Sequence, residues 1–344
     1  MLLVVTDDQR TGPMPAMPRT RRWLGRDGKQ FTDAFVTTPQ CCPSRASILT
    51  GRYAHNHGVE DNSKAGSLDQ RSTIERYLDR AGYRTGAFGW PGDPAVFETD
   101  RDVDPTGLSD KPEYVSETGD VTYRDGPRIR TRQLRTLESV DDLMSSIHRT
   151  LLRLGELRNT LVFFTSDNGF LWGEHRLTGK ADPFIQAIKV PLYMSWPRAR
   201  IRAGSKDGGI VANVDIAPTI LDAANLAPDT RFPMDGRSLL GRSRNRPYTT
   251  LNEFYRARGH QGMVPPWASL TARGYQYVEY YRSDGVTPAF RSYYDLVADP
   301  WELDNLLGDD DASNDPAPSR LATLSARLQA ARRCSGTVGA TACP

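Results

Sequence analysis

An α/β fold, with a mostly parallel sheet flanked by helices and a small α+β subdomain behind it, is predicted by three features of this chain. Short apolar runs such as LLVVT at 2–6 and TLVFFTS at 160–166 suit strands buried on both faces. Stretches with apolar residues at helical spacing alternate with such runs through the first two thirds of the chain, as expected of helices crossing between parallel strands. From about residue 247 the pattern changes to shorter, aromatic-rich strands. The expected division is therefore an α/β domain over 1–246 and a C-terminal subdomain and tail over 247–344.

The elements follow in order. Residues 2–6 end in Asp7 and Asp8, so the first strand delivers acids at its C-terminal end, where open α/β sheets carry function. Pro43 and Ser44 make a helix entry, with Ser44 a cap ahead of residues 45–50. Ile74, Tyr77, Leu78 and Ala81 predict a helix over 72–81, stopped by Gly82 before a strand over 84–89. Leu134, Leu137, Val140, Leu143, Met144, Ile147, Leu151 and Leu154 share one face of a long amphipathic helix over 133–154. The strand 160–166 follows it directly. Residues 190–195 form another buried strand and 214–224 a helix that Pro218 begins or kinks. In the C-terminal part, 275–281 is a strand with the turn-prone DGVTP after it, 309–318 an acidic linker and 319–332 a helix with Leu321, Leu324 and Leu328 on one side. No internal repeat is evident.

Composition sets the frame. A hydrophobic share of 38% with 25% charged residues is globular, and a formal charge of +2 argues against a broad electrostatic commitment to nucleic acid. No apolar run approaches a membrane span, and the apolar stretch of MLLVVTDDQR is too short for a signal peptide, so Met1 reads as an internal start or a shortened end. Of the four cysteines, Cys41 and Cys42 are adjacent, while Cys334 and Cys343 lie in a Gly- and Ala-rich tail. The tail pair reads equally as a disulfide closing a short loop in an oxidising compartment or as two unpaired thiols.

Residues 41–45 read CCPSR and continue as ASILTGRY. This string resembles the sulfatase signature, in which the first cysteine of C-x-P-S-R is converted to formylglycine, and the match falls on Cys41 with Cys42 in the free position. The segment YYDLVADPWELDNLL at 293–307 is similar to the closing signature of many sulfatases, so the resemblance runs almost end to end. It implies an alkaline-phosphatase-like fold, sulfuric ester hydrolysis, and maturation by a formylglycine-generating enzyme. GRYAHNHGV and GEHRL look similar to glycosaminoglycan and sugar-sulfate sulfatases, which points to a sulfated small molecule or glycan as substrate. It also makes an extracytoplasmic or secreted location the expectation.

The resemblance assigns roles residue by residue. Cys41, as an aldehyde hydrate, offers one hydroxyl to attack sulfur and a second to expel sulfate, which a serine cannot do. Asp7, Asp8, Asp167 and Asn168, with an oxygen on Cys41, make a hard oxygen cage suited to Ca2+, with Mg2+ the other choice. Lys180, at the end of GFLWGEHRLTGK, matches the lysine that holds the sulfate, and Arg45 the arginine beside the aldehyde. His175 is the candidate proton donor to the leaving alcohol. Gln9 reads as a polar loop residue, and His55 and His57 as structural.

The chain departs from the family after TGAFG at 85–89. Trp90 stands where a lysine is usual, and DKPEYV at 110–115 arrives early, so an insert carrying a sulfate-binding lysine and further histidines is missing. Asp93 and Asp100 of the shortened loop are poor substitutes because they repel sulfate. Two other readings follow: a phosphate or phosphonate ester hydrolase on the same cage, and a non-catalytic remnant.

Overall fold

The computed structural model describes residues 1–12, 14–88, 110–112, 114–115, 120–199, 201–240, 249–255, 264–309, 311–339 and 341–343. Gly89, Trp90, Asp93, Asp100 and the expected subdomain start at 247 lie outside the described residues.

A five-stranded sheet runs in the order β1 (Leu2–Thr6), β3 (Val162–Ser166), β6 (Leu192–Ser195), β2 (Lys29–Phe35), β7 (Ser205–Ala212). β1 pairs β3 in parallel and β2 pairs β7 in parallel, while β6 lies antiparallel to both its neighbours. The sheet is thus mixed: four of its five strands run the same way and β6 runs against them, so two of the four pairings are antiparallel. Sequence reading did not single out β2 or β7, because KQFTDAF and SKDGGIVA mix polar residues into the apolar pattern.

Alternation along β3 shows why its apolar run is continuous. Phe163 joins a cluster with Ile48, Ile74, Tyr77, Val211, Ile216 and Ile220 on one face. Val162 and Phe164 join Met17, Trp23, Leu24, Leu137 and Met144 on the other. A strand covered by helices on both sides needs apolar residues at every position. Helices α2 (Cys41–Thr50), α4 (Ile74–Arg80) and α7 (Ile216–Ala223) supply the first layer, and α1 (Pro18–Asp27) with α5 (Asp120–Arg153) the second; α3 (Ala54–His57) and α6 (Ile185–Ile188) are single turns. Asp141 of α5, only 3% exposed, accepts from the backbone N–H groups of Arg19 and Thr20, donors that the first turn of α1 leaves without partners inside the helix.

Several elements differ from expectation. α5 begins before residue 133 and runs through Gly126 and Pro127; its apolar stripe marks only the part that faces the sheet. Ser44 is not a cap: α2 already begins at Cys41, and Ser44 is fully buried inside it, donating its N–H to the Gln40 carbonyl at 2.9 Å. The strand expected over 84–89 is absent among the described residues; 83–88 carries no regular structure and Phe88 is 98% exposed. An extended segment becomes a strand only where a neighbour accepts its backbone bonds. β1, at the edge of the described sheet, is correspondingly half-buried over Leu2 to Val5.

Residues from 249 onward form an antiparallel sheet in the order β11 (Pro288–Tyr294), β10 (Gln276–Tyr281), β9 (Trp267–Ala272), β8 (Thr249–Phe254), with α8 (Pro318–Ala331) packed on it through Leu324 and Leu328. It is tied to the larger sheet by Glu253 N–H to the Thr37 carbonyl at 2.8 Å, Asn252 Nδ2 to the Val36 carbonyl at 2.7 Å and Trp267 Nε1 to the Ala181 carbonyl at 2.6 Å.

Candidate active site

The parallel pairing of β1 with β3 brings two acidic segments to one point. Thr6 pairs with Ser166, so Asp7 and Asp8 leave the sheet beside Asp167 and Asn168. The junction is fixed by polar bonds between the strand ends: Asp167 N–H donates to the Thr6 carbonyl at 3.1 Å, Ser166 Oγ to the same carbonyl at 3.0 Å, and Gln9 N–H to Ser166 Oγ at 2.9 Å. Asp8 has φ 58, a left-handed turn that aspartate tolerates better than most residues. Gln9, read from the sequence as an ordinary polar loop residue, is instead 2% exposed and directs its amide at the sulfurs of Met14 and Met17.

β2 ends at Phe35, and the chain then enters α2, whose first residue is Cys41. Asn62 accepts the Cys42 N–H at 3.0 Å and so holds the first turn in place; no motif in the sequence announced this residue. Ligand atoms of Asp7, Cys41 and Asp167 all lie within 4.8 Å of one another.

Two cations close the cluster. Arg45, one turn along α2, donates Nε and Nη2 to Asp167 Oδ2, each at 2.8 Å, and its Nη2 lies 3.3 Å from Asp7. Lys180 Nζ bonds Asp8 Oδ1 and lies 2.8 Å from Cys41 Sγ and 3.7 Å from Asp7. Lys180 arrives on a hairpin of β4 (Leu171–Trp172) and β5 (Thr178–Gly179).

Electrostatics follow from this crowding. Burial, then the neighbouring Asp7, pushes Asp167 up to about 6 against the pull of Arg45 and Lys180. Burial also raises Asp8 despite Lys180. Burial opposes the charge on Lys180, but Asp8 and Cys41 outweigh it and hold the ammonium above its usual range. The Cys41 thiol is raised by burial, with Lys180 pulling it back only in part. An unmodified Cys41 is thus a protonated thiol at neutral pH, not an activated thiolate.

The donor set fits a hard divalent cation. Asn168 is fully buried, with Nδ2 donating to Asp8 Oδ1 at 2.5 Å, while its Oδ1 has no protein partner among the described residues. A buried carbonyl oxygen left unpaired beside three carboxylates is what an oxygen-coordinated ion satisfies.

His175 is placed elsewhere. It is 5% exposed, its ring stacked on Phe184 at 3.8 Å and hydrogen-bonded to the Trp301 backbone, and burial lowers it to about 3. No hydrogen bond or ion pair joins it to Asp7, Asp8, Cys41, Asp167 or Lys180 among the described contacts. Burial against Phe184, away from the described contacts of the cluster, speaks against the proton-donor role expected of it. His57 accepts the Val59 N–H at Nδ1 (3.1 Å) and meets Ser47 Oγ at Nε2 (3.0 Å), and His55 bridges Glu253 and the Cys334 carbonyl. Both histidines tie the signature helix to its surroundings.

A family model described as Sulfatase matches residues 1–97 and 94–226, and one described as N-sulphoglucosamine sulphohydrolase, C-terminal, matches 173–330. The extracellular sulfatase SULF-1 homolog of Drosophila melanogaster is 30% identical over 346 residues, covering 70% of this chain and 31% of that protein. The N-acetylglucosamine-6-sulfatase of Homo sapiens is 26% identical over 352 residues, covering 70% of this chain and 63% of that protein. The chain covers less than two thirds of either curated relative's own length. A solved structure of a protein in complex with its substrate D-glucosamine-2-N,6-O-disulfate superposes with a TM-score of 0.74 at 18% identity, over 95% of this chain and 96% of that one; at this identity the likeness concerns the fold. The Sulfatase model matches in two segments that overlap at residues 94–97, close to where the sequence reading expected the family's insert to be missing. The alignment to the fly protein, 346 positions long for 70% of a 344-residue chain, likewise holds many gaps on this side.

Proposed function

The chain belongs to the sulfatase family, and from that premise we propose that it hydrolyses sulfate monoesters with Cys41, converted to formylglycine, as nucleophile. The observation that carries this reading is the convergence of Asp7, Cys41 and Asp167 with the unpaired Asn168 oxygen, flanked by Lys180 and Arg45. As an aldehyde hydrate, position 41 supplies one hydroxyl to attack sulfur and another to expel sulfate later. A divalent cation, Ca2+ by the hardness of its oxygen donors, would be held by Asp7, Asp8, Asp167 and Asn168 and would polarise bound oxygens.

The protein's own side chains do the rest. Lys180, whose ammonium stays charged throughout the physiological range, faces position 41 and holds a non-bridging sulfate oxygen. Arg45 orients Asp167 and Asp7 and balances their charge. With His175 in the core, the leaving alcohol takes its proton from solvent or from a group outside the described residues. The substrate class we infer is a 6-O- or N-sulfated glucosamine unit of a glycan, following the substrates named for the human relative and for the solved complex. The Cys334–Cys343 disulfide suits maturation in an oxidising compartment, in line with the extracellular designation of the fly relative. Among the described residues no helix is long and apolar enough to cross a membrane.

The test is co-expression with a formylglycine-generating enzyme, mass spectrometry of the peptide spanning Cys41, and parallel assays with aryl sulfate and aryl phosphate, before and after chelation. Aldehyde at position 41 and chelator-sensitive sulfate turnover are expected. Preferred turnover of phosphate would move the chain to the phosphate and phosphonate ester hydrolases, and an aldehyde with no turnover of either would favour the remnant reading.

A further inference from the structure

The hairpin that carries Lys180 is too short to hold itself. Its strands are Leu171–Trp172 and Thr178–Gly179, and isolated hairpins of greater length are already marginal in water. Its backbone is also strained: His175 (φ 53), Arg176 (φ 59) and Ala181 (φ 89) all adopt the left-handed region without being glycine. Such residues persist only where their surroundings over-determine them.

The surroundings converge on Trp172. Its N–H donates to Glu174 Oε2 at 2.6 Å, and its indole Nε1 to Gln133 Oε1 of α5 at 2.6 Å. The guanidinium carbon of Arg10 lies 4.6 Å from the Trp172 ring centroid, and that of Arg130 5.3 Å. The other Glu174 oxygen pairs with Arg10, and both side chains are nearly buried, at 12% and 10% exposure. α5 abuts the same residue so closely that a Cβ on Gly126 would sit 1.5 Å from the Trp172 carbonyl oxygen.

Arg10 follows Asp7 and Asp8 by three and two positions, so the ion pair joins the loop bearing two proposed metal ligands to the hairpin bearing Lys180. Trp172 faces Thr178 across that hairpin, two residues before Lys180. We propose that Arg10, Glu174 and Trp172 form a brace that sets the distance between Lys180 and the nucleophile, making them positioning residues for the sulfate-binding cation. The proposal rests on the reading of Lys180 as that cation. None of the three residues touches Cys41 in the described contacts, so their effect passes through Lys180.

The experiment is a double-mutant cycle on the formylglycine-bearing full chain with an aryl sulfate, combined with calorimetric titration of inorganic sulfate in the presence of Ca2+. Lys180→Ala and Arg10→Ala are each expected to lower kcat by about 10- to 100-fold, as a displacement on the order of 1 Å does, with a smaller effect on KM. The double variant is expected to equal Lys180→Ala alone, because a brace has no function once its load is gone. Glu174→Gln, which keeps the acceptor for the Trp172 N–H and loses the ion pair while retaining the side chain's shape, is expected to fall between wild type and Arg10→Ala in kcat; it keeps the test open if Arg10→Ala fails to fold. Additive losses in the cycle, or wild-type activity in Glu174→Gln, would overturn the brace. If the wild type turns over no sulfate ester, sulfate affinity decides: parallel weakening in Lys180→Ala and Arg10→Ala supports the brace while the hydrolase reading fails. Affinity independent of Arg10, or no sulfate binding by the wild type, overturns it.

Discussion

Two carboxyl groups outside the site show how residues set conditions for the molecule. Asp182 is buried, its Oδ1 accepting from the Tyr114 hydroxyl at 2.8 Å, and burial pushes it up to about 7. Glu302 sits at φ 61 with Oε2 accepting the Ile185 N–H at 2.7 Å and Oε1 unpaired among the described residues, and burial raises it to about 8. An acid whose pKa is raised by folding keeps its proton in the native state while the unfolded chain loses it. Stability therefore falls as pH rises from about 4 to about 7 for Asp182, and from about 4.5 to about 8 for Glu302, and levels off above. Asp182→Asn and Glu302→Gln remove that loss. Relative to wild type, each variant should gain stability between pH 4.5 and pH 8, on the order of a few kcal/mol at most. Denaturant melts at the two pH values check this, and stability differences that do not change with pH would contradict the assignment.

At the scale of elements, the site depends on helices held from outside themselves. α1 begins at Pro18 with no side-chain cap of its own, and Asp141 of α5 serves instead by accepting from Arg19 N–H, Thr20 N–H and Thr20 Oγ1. Replacing Asp141 by Ala strands these donors in a buried place, at a cost of about 2–4 kcal/mol. A matching drop in the denaturation midpoint is expected, with the slope unchanged; a loss under about 0.5 kcal/mol would show that water serves equally well. The apolar stripe told correctly that α5 is helical and, through Leu134, Leu137, Val140, Met144, Ile147 and Leu151, which face it buries; Leu154, counted on the same face, lies past the helix end and is 64% exposed. It said nothing of Asp141 as a cap, because that bond joins residues 121 positions apart and leaves no local pattern.

At the scale of the whole molecule, the C-terminal tail closes back onto the signature region. Cys334 and Cys343 form a disulfide, settling the alternative that sequence left open, and His55 Nε2 and Asn56 Nδ2 meet the Cys334 carbonyl at 3.0 and 2.9 Å. The Gly336 N–H donates to Asp235 Oδ1 at 2.7 Å, and Asp235 Oδ2 in turn accepts the Tyr53 N–H at 2.8 Å. Reducing this short loop restores chain entropy to the unfolded state worth about 2–3 kcal/mol. Cys334→Ser with Cys343→Ser, or reductant alone, should lower the melting temperature by several degrees while leaving the mass at Cys41 unchanged. An unchanged melting temperature would mean that Asp235, His55 and Asn56 hold the tail by themselves.

The sequence by itself determined the class of fold and the strands that end in Asp7, Asp8, Asp167 and Asn168, and it singled out Cys41, Arg45 and Lys180 as candidate residues, which the structure brings to one place. Apolar runs, helical spacing and a short fixed motif are local signals, and each can be read within a few tens of residues. Only the tertiary structure decided that β6 runs against its neighbours, that residues 83–88 pair with no strand among the described residues, that His175 belongs to an aromatic core, and that Arg10 and Glu174 meet beside Trp172. Those outcomes turn on which surfaces come together, and direction, burial and pairing are set by the packing of the whole chain, at separations up to the 164 positions between Arg10 and Glu174.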